Sequence, residues 1–236
     1  MEQDKDPMGC AIADFHKNGK ASRLRVFSPM FDEDEIPVKT LFRSMDDMPA
    51  IEQEALHRAS GCILDVGAGA GCHSLALQQM GKQVTAIDIS PLAVATMRER
   101  GVENVMQLDF FTLDGQYDTI LMLMNGIGIV GTLERLPAFF MQVGNLLAPG
   151  GQLLCDSSDI CYVFEDEDGI IDLTGVEGYY GELTYQMQYK NVKGTPFPWL
   201  FVDPETLCEQ AAAHGFSCDI IARGNHYDYL ARIARK

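Results

Sequence analysis

Several features that mark particular protein classes are scarce in this chain of 236 residues. Lys and Arg total only 18 against 34 Asp and Glu, which gives a formal net charge of −16. A field of that sign repels phosphate backbones and anionic membranes, so we expect neither nucleic acid nor a membrane as a partner. The longest apolar stretch, near Ile120–Val130, contains Asn125 and two glycines and is too short to span a bilayer.

The cysteines carry no pairing signal. There are 7 of them, scattered along the chain without a C-x-x-C pair, and no cationic segment followed by an apolar stretch opens the sequence. Disulfide frameworks and secretion signals normally show those patterns. We therefore expect reduced thiols and a cytoplasmic location.

One glycine-rich run carries most of the functional signal. Residues 62–66 are typical of a short buried strand, and Gly67, Gly69 and Gly71 follow it at alternate positions. Farther along, a second apolar run ends in Asp88. An open parallel sheet holds a nucleoside with a glycine turn at one strand tip and a carboxylate at the next. Glycine lets the backbone approach the ligand, and the carboxylate accepts hydrogen bonds from the ribose hydroxyls.

The spacing of these glycines argues against a dinucleotide. A dinucleotide fingerprint requires Gly or Ala three residues after its second glycine. That position is occupied here by Cys72. An NAD(P)-dependent oxidoreductase is therefore a disfavoured alternative.

Predicted strands and helices alternate from residue 62 onward. Strands are predicted at 62–66, 83–88, 104–108, 119–124 and 152–155, and helices at 71–80, 91–100 and 133–147. This alternation predicts an α/β fold with a doubly wound, mostly parallel sheet. The main domain is expected to cover residues 61–236.

Residues 1–60 are expected to form an N-terminal cap over the crevice of that sheet. Within them, Met48–Ser60 is predicted to be a helix, because Pro49 suits a first turn and apolar residues recur at helical spacing. The acidic run Asp32–Glu35 is expected to be a solvated loop.

Residues 159–203 are expected to be an insertion that carries a β-hairpin. Apolar and polar residues alternate over 183–190, which indicates a strand with one wet face. Residues 197–202 are predicted to be its partner across the turn at Gly194. Two final strands, at 217–222 and 229–233, follow a helix that begins at Pro204.

The order of these features resembles that of the class I S-adenosylmethionine-dependent methyltransferases. The resemblance covers roughly residues 60–236 and rests on the glycine loop, Asp88, Asp109, the turn at 149–151 and the closing strand pair. It implies a seven-stranded Rossmann-like sheet with an antiparallel last strand, and S-adenosylmethionine as cofactor. The resemblance indicates almost nothing about the substrate.

The resemblance also implies roles for individual residues. The methionine part of the cofactor would lie beside Asp65, Gly67, Ala68, Gly69 and Gly71, the ribose on Asp88, the adenine near Ile89, Asp109 and Phe110, and the reactive methyl near Asn125. Structural alternatives remain open, since Asp88 is also suited to a helix N-cap and Ile89 to the core. Arg43 in the cap is a candidate partner for the cofactor carboxylate, with a surface salt bridge as its alternative.

The acceptor side offers fewer signals. The methyl group on a positive sulfur is already activated, so the protein must mainly align the acceptor and exclude water. His226 is the best candidate for a general base, because it lies in the loop after a predicted strand and has a near-neutral pKa when unperturbed. Its alternative is an exposed turn histidine. Asp156 is a possible magnesium ligand but Asn125 is a poor partner for it, so we predict no metal.

We therefore predict a methyltransferase that acts on a small molecule by in-line displacement. The Asp/Asn-Pro-Pro-aromatic pattern of base-methylating enzymes is missing at 124–127. A non-catalytic cofactor-binding protein is the main alternative, since the sequence shows no essential catalytic residue. The acceptor atom and the oligomeric state are not indicated.

Overall fold

The computed structural model of the protein describes residues 5–166 and 168–236. Residues 1–4 of the predicted cap and Glu167 of the predicted insertion lie outside the described residues. The α-helices are α1 (Pro7–Asn18), α2 (Ala50–Arg58), α3 (Cys72–Gln79), α4 (Pro91–Glu99), α5 (Leu136–Leu146) and α6 (Pro204–Ala213). The strands are β1 (Leu24–Ser28), β2 (Phe31–Ile36), β3 (Ile63–Val66), β4 (Val84–Asp88), β5 (Asn104–Gln107), β6 (Tyr117–Met122), β7 (Leu147–Ser158), β8 (Glu182–Tyr189), β9 (Val192–Lys193), β10 (Phe197–Leu200), β11 (Phe216–Arg223) and β12 (Asp228–Arg235).

The main sheet has seven strands in the order β11-β12-β7-β6-β3-β4-β5. Strands β3 to β7 run parallel, whereas β12 is antiparallel to both of its neighbours, β7 and β11. The predicted doubly wound sheet with an antiparallel last strand is therefore confirmed. Because β11 opposes β12, it points the same way as β7. The carboxyl ends of all strands except β12 meet at one edge, where α/β folds bind ligands.

Hydrophobic helices cover both faces of this sheet. The four residues of β3 are all buried, as is expected for a parallel strand between two helical layers. Helices α5 and α6 pack on one face through residues such as Phe139, Phe140 and Leu207. Helices α2 and α3 pack on the other through residues such as Leu56 and Leu77. Two covered faces leave the strand ends as the place for a binding site.

A second, smaller sheet has the strand order β10-β8-β1-β2, with β9 paired to β8. Strands β8 and β10 form the predicted antiparallel hairpin, with Trp199 opposite Leu183. Strand β1 of the cap pairs with β8 of the insertion, so that Leu24 lies opposite Tyr189. The cap and the insertion are therefore joined in one structure, which the local sequence patterns do not show.

The acidic run Asp32–Glu35 is not a loop as predicted. It lies within the exposed edge strand β2 and pairs with β1. Arg25 lies 3.6 Å from Glu33 on this pair of strands, and Arg23 is in an ion pair with Glu35. Backbone pairing and cross-strand charges thus outweigh the poor strand propensity of acidic residues, and charge on an exposed edge also discourages further strand addition.

The cap contacts the glycine region through α1. Ile12 of α1 is buried in a cluster with Leu41, Ala70 and Ala93. Asp6 caps α1 by accepting from the Gly9 amide at 2.8 Å and also accepts a 2.5 Å hydrogen bond from the Ser90 hydroxyl. Helix α2, by contrast, packs against α3 and the main sheet. The division of the chain at residue 60 stays a prediction.

Candidate active site

The glycine loop follows β3 at the carboxyl edge of the main sheet. Gly67, Gly69 and Gly71 have φ angles of +67°, +56° and +81°, a region that L side chains rarely adopt. A Cβ on Gly67 would point into open space, whereas a Cβ on Gly71 would lie 2.9 Å from a methyl carbon of Val102. The first glycine therefore leaves the space beside the loop open, and the last allows close packing against Val102 and against Met97 of α4, whose Cγ would lie 3.0 Å from such a Cβ.

The loop is bound to the end of the next strand. The amides of Gly67 and Ala68 both donate to the Ile87 carbonyl, at 2.9 and 3.1 Å. The Gly69 amide donates to Oδ2 of Asp88 at 2.9 Å. These bonds hold the loop and the strand-end carboxylate as one unit, as the spacing of the motif predicts.

Asp88 is the central polar group of this unit. Its second oxygen, Oδ1, accepts from the Ser90 amide at 2.8 Å. Burial raises the pKa of Asp88, against the opposing effect of the hydrogen bonds from Ser90 and Gly69. Ser90, and not Asp88, caps α4, because its hydroxyl accepts from the Ala93 amide at 3.0 Å. A carboxylate has about four lone-pair positions, so two remain for a ligand diol.

Asp65 lies at the end of β3, directly before the glycine loop. It is buried, and the Ser74 hydroxyl donates to its Oδ2 at 2.6 Å. Burial raises the pKa of Asp65, partly opposed by the charge of His73. A cationic group placed here would favour the ionised form of this carboxyl.

Arg43 belongs to a buried ionic cluster that also contains Glu52 and His73. Arg43 Nη2 and His73 Nε2 both contact Oε2 of Glu52, the latter at 2.7 Å. Burial alone would raise the pKa of Glu52, but its contacts with His73 and Arg43 outweigh burial and hold it below its ordinary value. Arg43 Nη1 donates to the Thr40 carbonyl at 2.9 Å. Arg43 is thus not in a surface salt bridge.

Sequence reasoning missed the part that Glu52 plays in this cluster. A signal was present, because Glu52 shares the buried face of α2 with Ile51, Ala55 and Leu56. A charged residue at that spacing in an apolar stripe indicates a buried partner. The partner itself, Arg43, is in a separate segment that only the folded chain brings close.

The residues predicted for the adenine lie after β4 and β5. Ile89 is 47% exposed, although it is a large apolar side chain. Asp109 is exposed and accepts from the Phe111 amide at 2.9 Å, and Phe110 is buried. An exposed isoleucine after one strand and an exposed carboxylate after its neighbour are groups that suit a planar heterocycle with an amino group.

The tip of β6 is held in a strained turn. Met124 and Asn125 have φ angles of 62° and 55°, and their amides donate to Asp156 at 3.0 and 2.7 Å. Burial, followed by the charge of Glu52, raises the pKa of Asp156 to about 7. The Asn125 side chain accepts from the Ser157 hydroxyl at 2.8 Å and donates to the Leu200 carbonyl at 3.2 Å. Asn125 therefore fixes the second sheet to the tip of β6.

Aromatic rings line the edge beyond β7 and β11. Tyr162 is stacked on Tyr227 with ring centroids 5.0 Å apart, and the His226 ring lies 4.8 Å from Tyr162. His226 is exposed and lies in the turn between β11 and β12, at the predicted edge. Tyr180 donates its hydroxyl to Asp159 at 2.7 Å. These rings therefore lie at the same carboxyl edge of the main sheet as the glycine loop.

Comparison with known proteins identifies the family. A family model described as a methyltransferase domain matches residues 63–151. A solved structure of a SAM-dependent methyltransferase from Bacteroides fragilis, in complex with S-adenosyl-L-homocysteine, is 55% identical, covers 100% of this chain and 97% of that chain, and has a TM-score of 0.93. The chain belongs to the S-adenosylmethionine-dependent methyltransferases. S-adenosylmethionine is the cofactor that defines this family.

Other relatives are less similar to this methyltransferase, either in sequence identity or in the length that matches. The ubiquinone biosynthesis O-methyltransferase of Xanthomonas oryzae pv. oryzae is 32% identical over 110 residues, which span 42% of this chain and 43% of that relative's own length. The CcbJ methyltransferase of Streptomyces caelestis is 15% identical, covers 82% of this chain and 99% of that chain, and has a TM-score of 0.62. The latter likeness concerns the fold alone.

The comparisons confirm the predicted family and the predicted cofactor, and so favour them over the NAD(P)-dependent alternative. The roles of single residues, by contrast, stay predictions. None of the helices in residues 5–166 and 168–236 is long and apolar enough to cross a membrane.

Proposed function

We propose that this methyltransferase transfers the methyl group of S-adenosylmethionine to a small-molecule acceptor in the crevice at the carboxyl edge of the main sheet. The observation that carries the proposal is the unit formed by the glycine loop and Asp88, joined by the 2.9 Å bond from the Gly69 amide. A sulfonium methyl is already activated for in-line displacement. The chain therefore has to bind, align and exclude water.

Asp88 would hold the ribose. Its carboxylate is anchored by the amides of Gly69 and Ser90, so its free lone pairs are fixed in direction before the ligand arrives. Two hydrogen bonds from a diol to a positioned carboxylate give both affinity and orientation.

Asp65 and Arg43 would hold the two charged ends of the methionine part. The methionine part of the cofactor is a zwitterion. Its ammonium suits the buried carboxyl of Asp65, and its carboxylate suits the guanidinium of Arg43. Arg43 Nε is buried and has no hydrogen-bond partner among the described residues. A carboxylate from the cofactor would satisfy that donor. The backbone at Gly67, Ala68, Gly69 and Gly71 would pass closest to this part of the ligand.

The adenine would bind between Ile89 and the segment that begins at Asp109. Ile89 would cover one face of the ring, Asp109 would accept from the amino group, and the Phe110 amide would donate to a ring nitrogen. The exposed surface of Ile89 supports this arrangement, because burial of a large apolar side chain on ligand binding is favourable.

The acceptor would lie between Asn125 and the aromatic side of the crevice. Tyr162 and Tyr227 present stacked rings there, with the His226 ring tilted against Tyr162, and this aromatic surface favours a planar acceptor. His226 would remove the acceptor proton where that proton is weakly acidic. The likeness to a ubiquinone biosynthesis O-methyltransferase makes phenols the first acceptors to test.

The test has two stages. Calorimetric titration with S-adenosylhomocysteine, beside NADH and NADPH, should show one-site binding of the first compound only. Methyl transfer from labelled S-adenosylmethionine is then measured with phenols, aromatic amines and aromatic carboxylates. Turnover of any member supports the proposed activity. Binding without turnover across the panel would favour a non-catalytic cofactor-binding protein.

We also propose that the protein works in the cytoplasm. The structure describes all seven cysteines and shows no disulfide among them, and the Cys62 thiol is exposed. An exposed free thiol is compatible with a reducing compartment.

A further inference from the structure

Glu52 stands out among the buried charged groups because the fold brings it to two different parts of the proposed site. It lies on α2, yet it contacts Arg43 from the cap and His73 from the first turn of α3. His73 follows the glycine loop directly after Cys72. Glu52 thus links the cap, α2 and the glycine-loop helix at one point.

One guanidinium nitrogen of Arg43 takes part in no hydrogen bond with the described residues. Nη1 donates to the Thr40 carbonyl at 2.9 Å and Nη2 donates to Glu52, so the planar guanidinium is held on two of its three nitrogens. The third nitrogen, Nε, is buried and has no partner among the described residues. A buried donor without a partner is destabilising, and a ligand acceptor at this position would remove that cost.

The second hydrogen-bond partner of Glu52, His73, fixes the position of its carboxylate. An ionised carboxylate only accepts hydrogen bonds, so Nε2 of His73 is the donor in the 2.7 Å contact. Because His73 belongs to the start of α3, this bond fixes Glu52 relative to the glycine loop. Arg43 is consequently aligned with the loop through Glu52, and not only through the cap backbone.

We infer that Glu52 and His73 are positioning residues that aim Arg43 Nε at the carboxylate of the amino-acid part of the cofactor, and so make the site selective for ligands that carry this carboxylate. The inference rests on the binding mode proposed above. A purely structural ion cluster would stabilise the fold without distinguishing such ligands from others.

The distinguishing experiment compares two ligands that differ only in the amino-acid part of the cofactor. S-adenosylhomocysteine and 5′-methylthioadenosine share adenosine and the thioether, but only the former has the amino-acid group. The dissociation constants of both are measured by calorimetry for the wild type, Glu52→Gln and Glu54→Gln. Glu54 is the matched control, because it lies on the same helix and pairs with Arg58 in an exposed ion pair.

Glu52→Gln should weaken S-adenosylhomocysteine binding about tenfold, as expected when a charge-assisted hydrogen bond is misaligned. Its affinity for 5′-methylthioadenosine should stay within about twofold of the wild type, as should both affinities of Glu54→Gln. Equal weakening of both ligands by Glu52→Gln would show a structural role and overturn the inference. Unchanged binding of both would overturn it as well.

Arg43→Lys provides an independent test if Glu52→Gln does not fold. Lysine keeps the charge next to Glu52 but has no Nε–H in the guanidinium plane. It should reduce the preference for S-adenosylhomocysteine over 5′-methylthioadenosine by about tenfold. An unchanged preference would refute the inference. A wild type that binds neither ligand would instead refute the proposed function, whereas equal binding of both would refute the inference alone.

Discussion

Replacing Asp88 by Asn tests the proposed ribose contact most directly. The Asp88 carboxylate has two oxygens, each of which accepts one backbone hydrogen bond, from Gly69 at 2.9 Å and from Ser90 at 2.8 Å. About two lone-pair positions remain for the ribose hydroxyls. The amide of Asn replaces one oxygen by a donor, so one internal acceptor and at least one ribose acceptor are lost.

The magnitude follows from this count. A hydrogen bond to a charged group contributes about 1.5–3 kcal/mol, so the loss of one or two of them predicts roughly 3 kcal/mol, or about 100-fold weaker S-adenosylhomocysteine binding. The lost internal acceptor should lower the free energy of unfolding by about 1–3 kcal/mol. Calorimetric titration gives the first quantity and urea denaturation gives the second.

The control is Asp118→Asn. Asp118 also accepts a backbone hydrogen bond, from the Cys62 amide at 2.7 Å, but it lies in β6 near the opposite, amino edge of the parallel strands. This variant should leave the affinity for S-adenosylhomocysteine unchanged. If Asp88→Asn is folded and binds S-adenosylhomocysteine as tightly as the wild type, the assignment of Asp88 to the ribose is wrong.

Three further predictions concern the same edge of the sheet. Burial raises the pKa of Asp156 to about 7 from an ordinary 3.8, so the native state binds this proton more tightly than the unfolded chain between those values. The stability of the wild type relative to Asp156→Asn should therefore fall by roughly 4 kcal/mol as pH rises from 4 to 7 and then level off; denaturation across this range that shows no such difference would contradict it. Gly71→Ala should lower the free energy of unfolding by about 1–3 kcal/mol more than Gly81→Ala, because both positions have positive φ but only a Cβ at Gly71 would meet Val102, at 2.9 Å. Equal urea midpoints for the two variants would count against this packing argument. His226→Gln should reduce kcat about 100-fold or more for an acceptor that arrives protonated, with the dissociation constant of S-adenosylhomocysteine unchanged, and full activity would remove His226 from the mechanism.

Local patterns carried the prediction of the main sheet. The glycine spacing, the acid at the end of the next strand and the alternation of strands and helices are all short-range features. Each depends on backbone freedom or on the period of burial within a few residues, which a sequence shows directly. The same features indicated the cofactor family, since Gly69 and Asp88 form the expected unit.

Other features required pairing between distant segments. Strand β1 meets β8 across more than 150 residues, with Leu24 opposite Tyr189. The acidic residues of β2 are extended only because β1 lies beside them. Neither result follows from local propensity, because strand pairing is decided by tertiary packing.

Residue types at fixed local spacing are enough to specify the glycine loop, the class of fold and the family of the enzyme. Which buried charges meet depends instead on how the elements pack. Glu52, Arg43 and His73 come from three separate elements, and their contact exists because burial forces each charge to find a partner. The partner chosen depends on how α2, α3 and the cap pack around the sheet, and no local pattern in the chain specifies that arrangement.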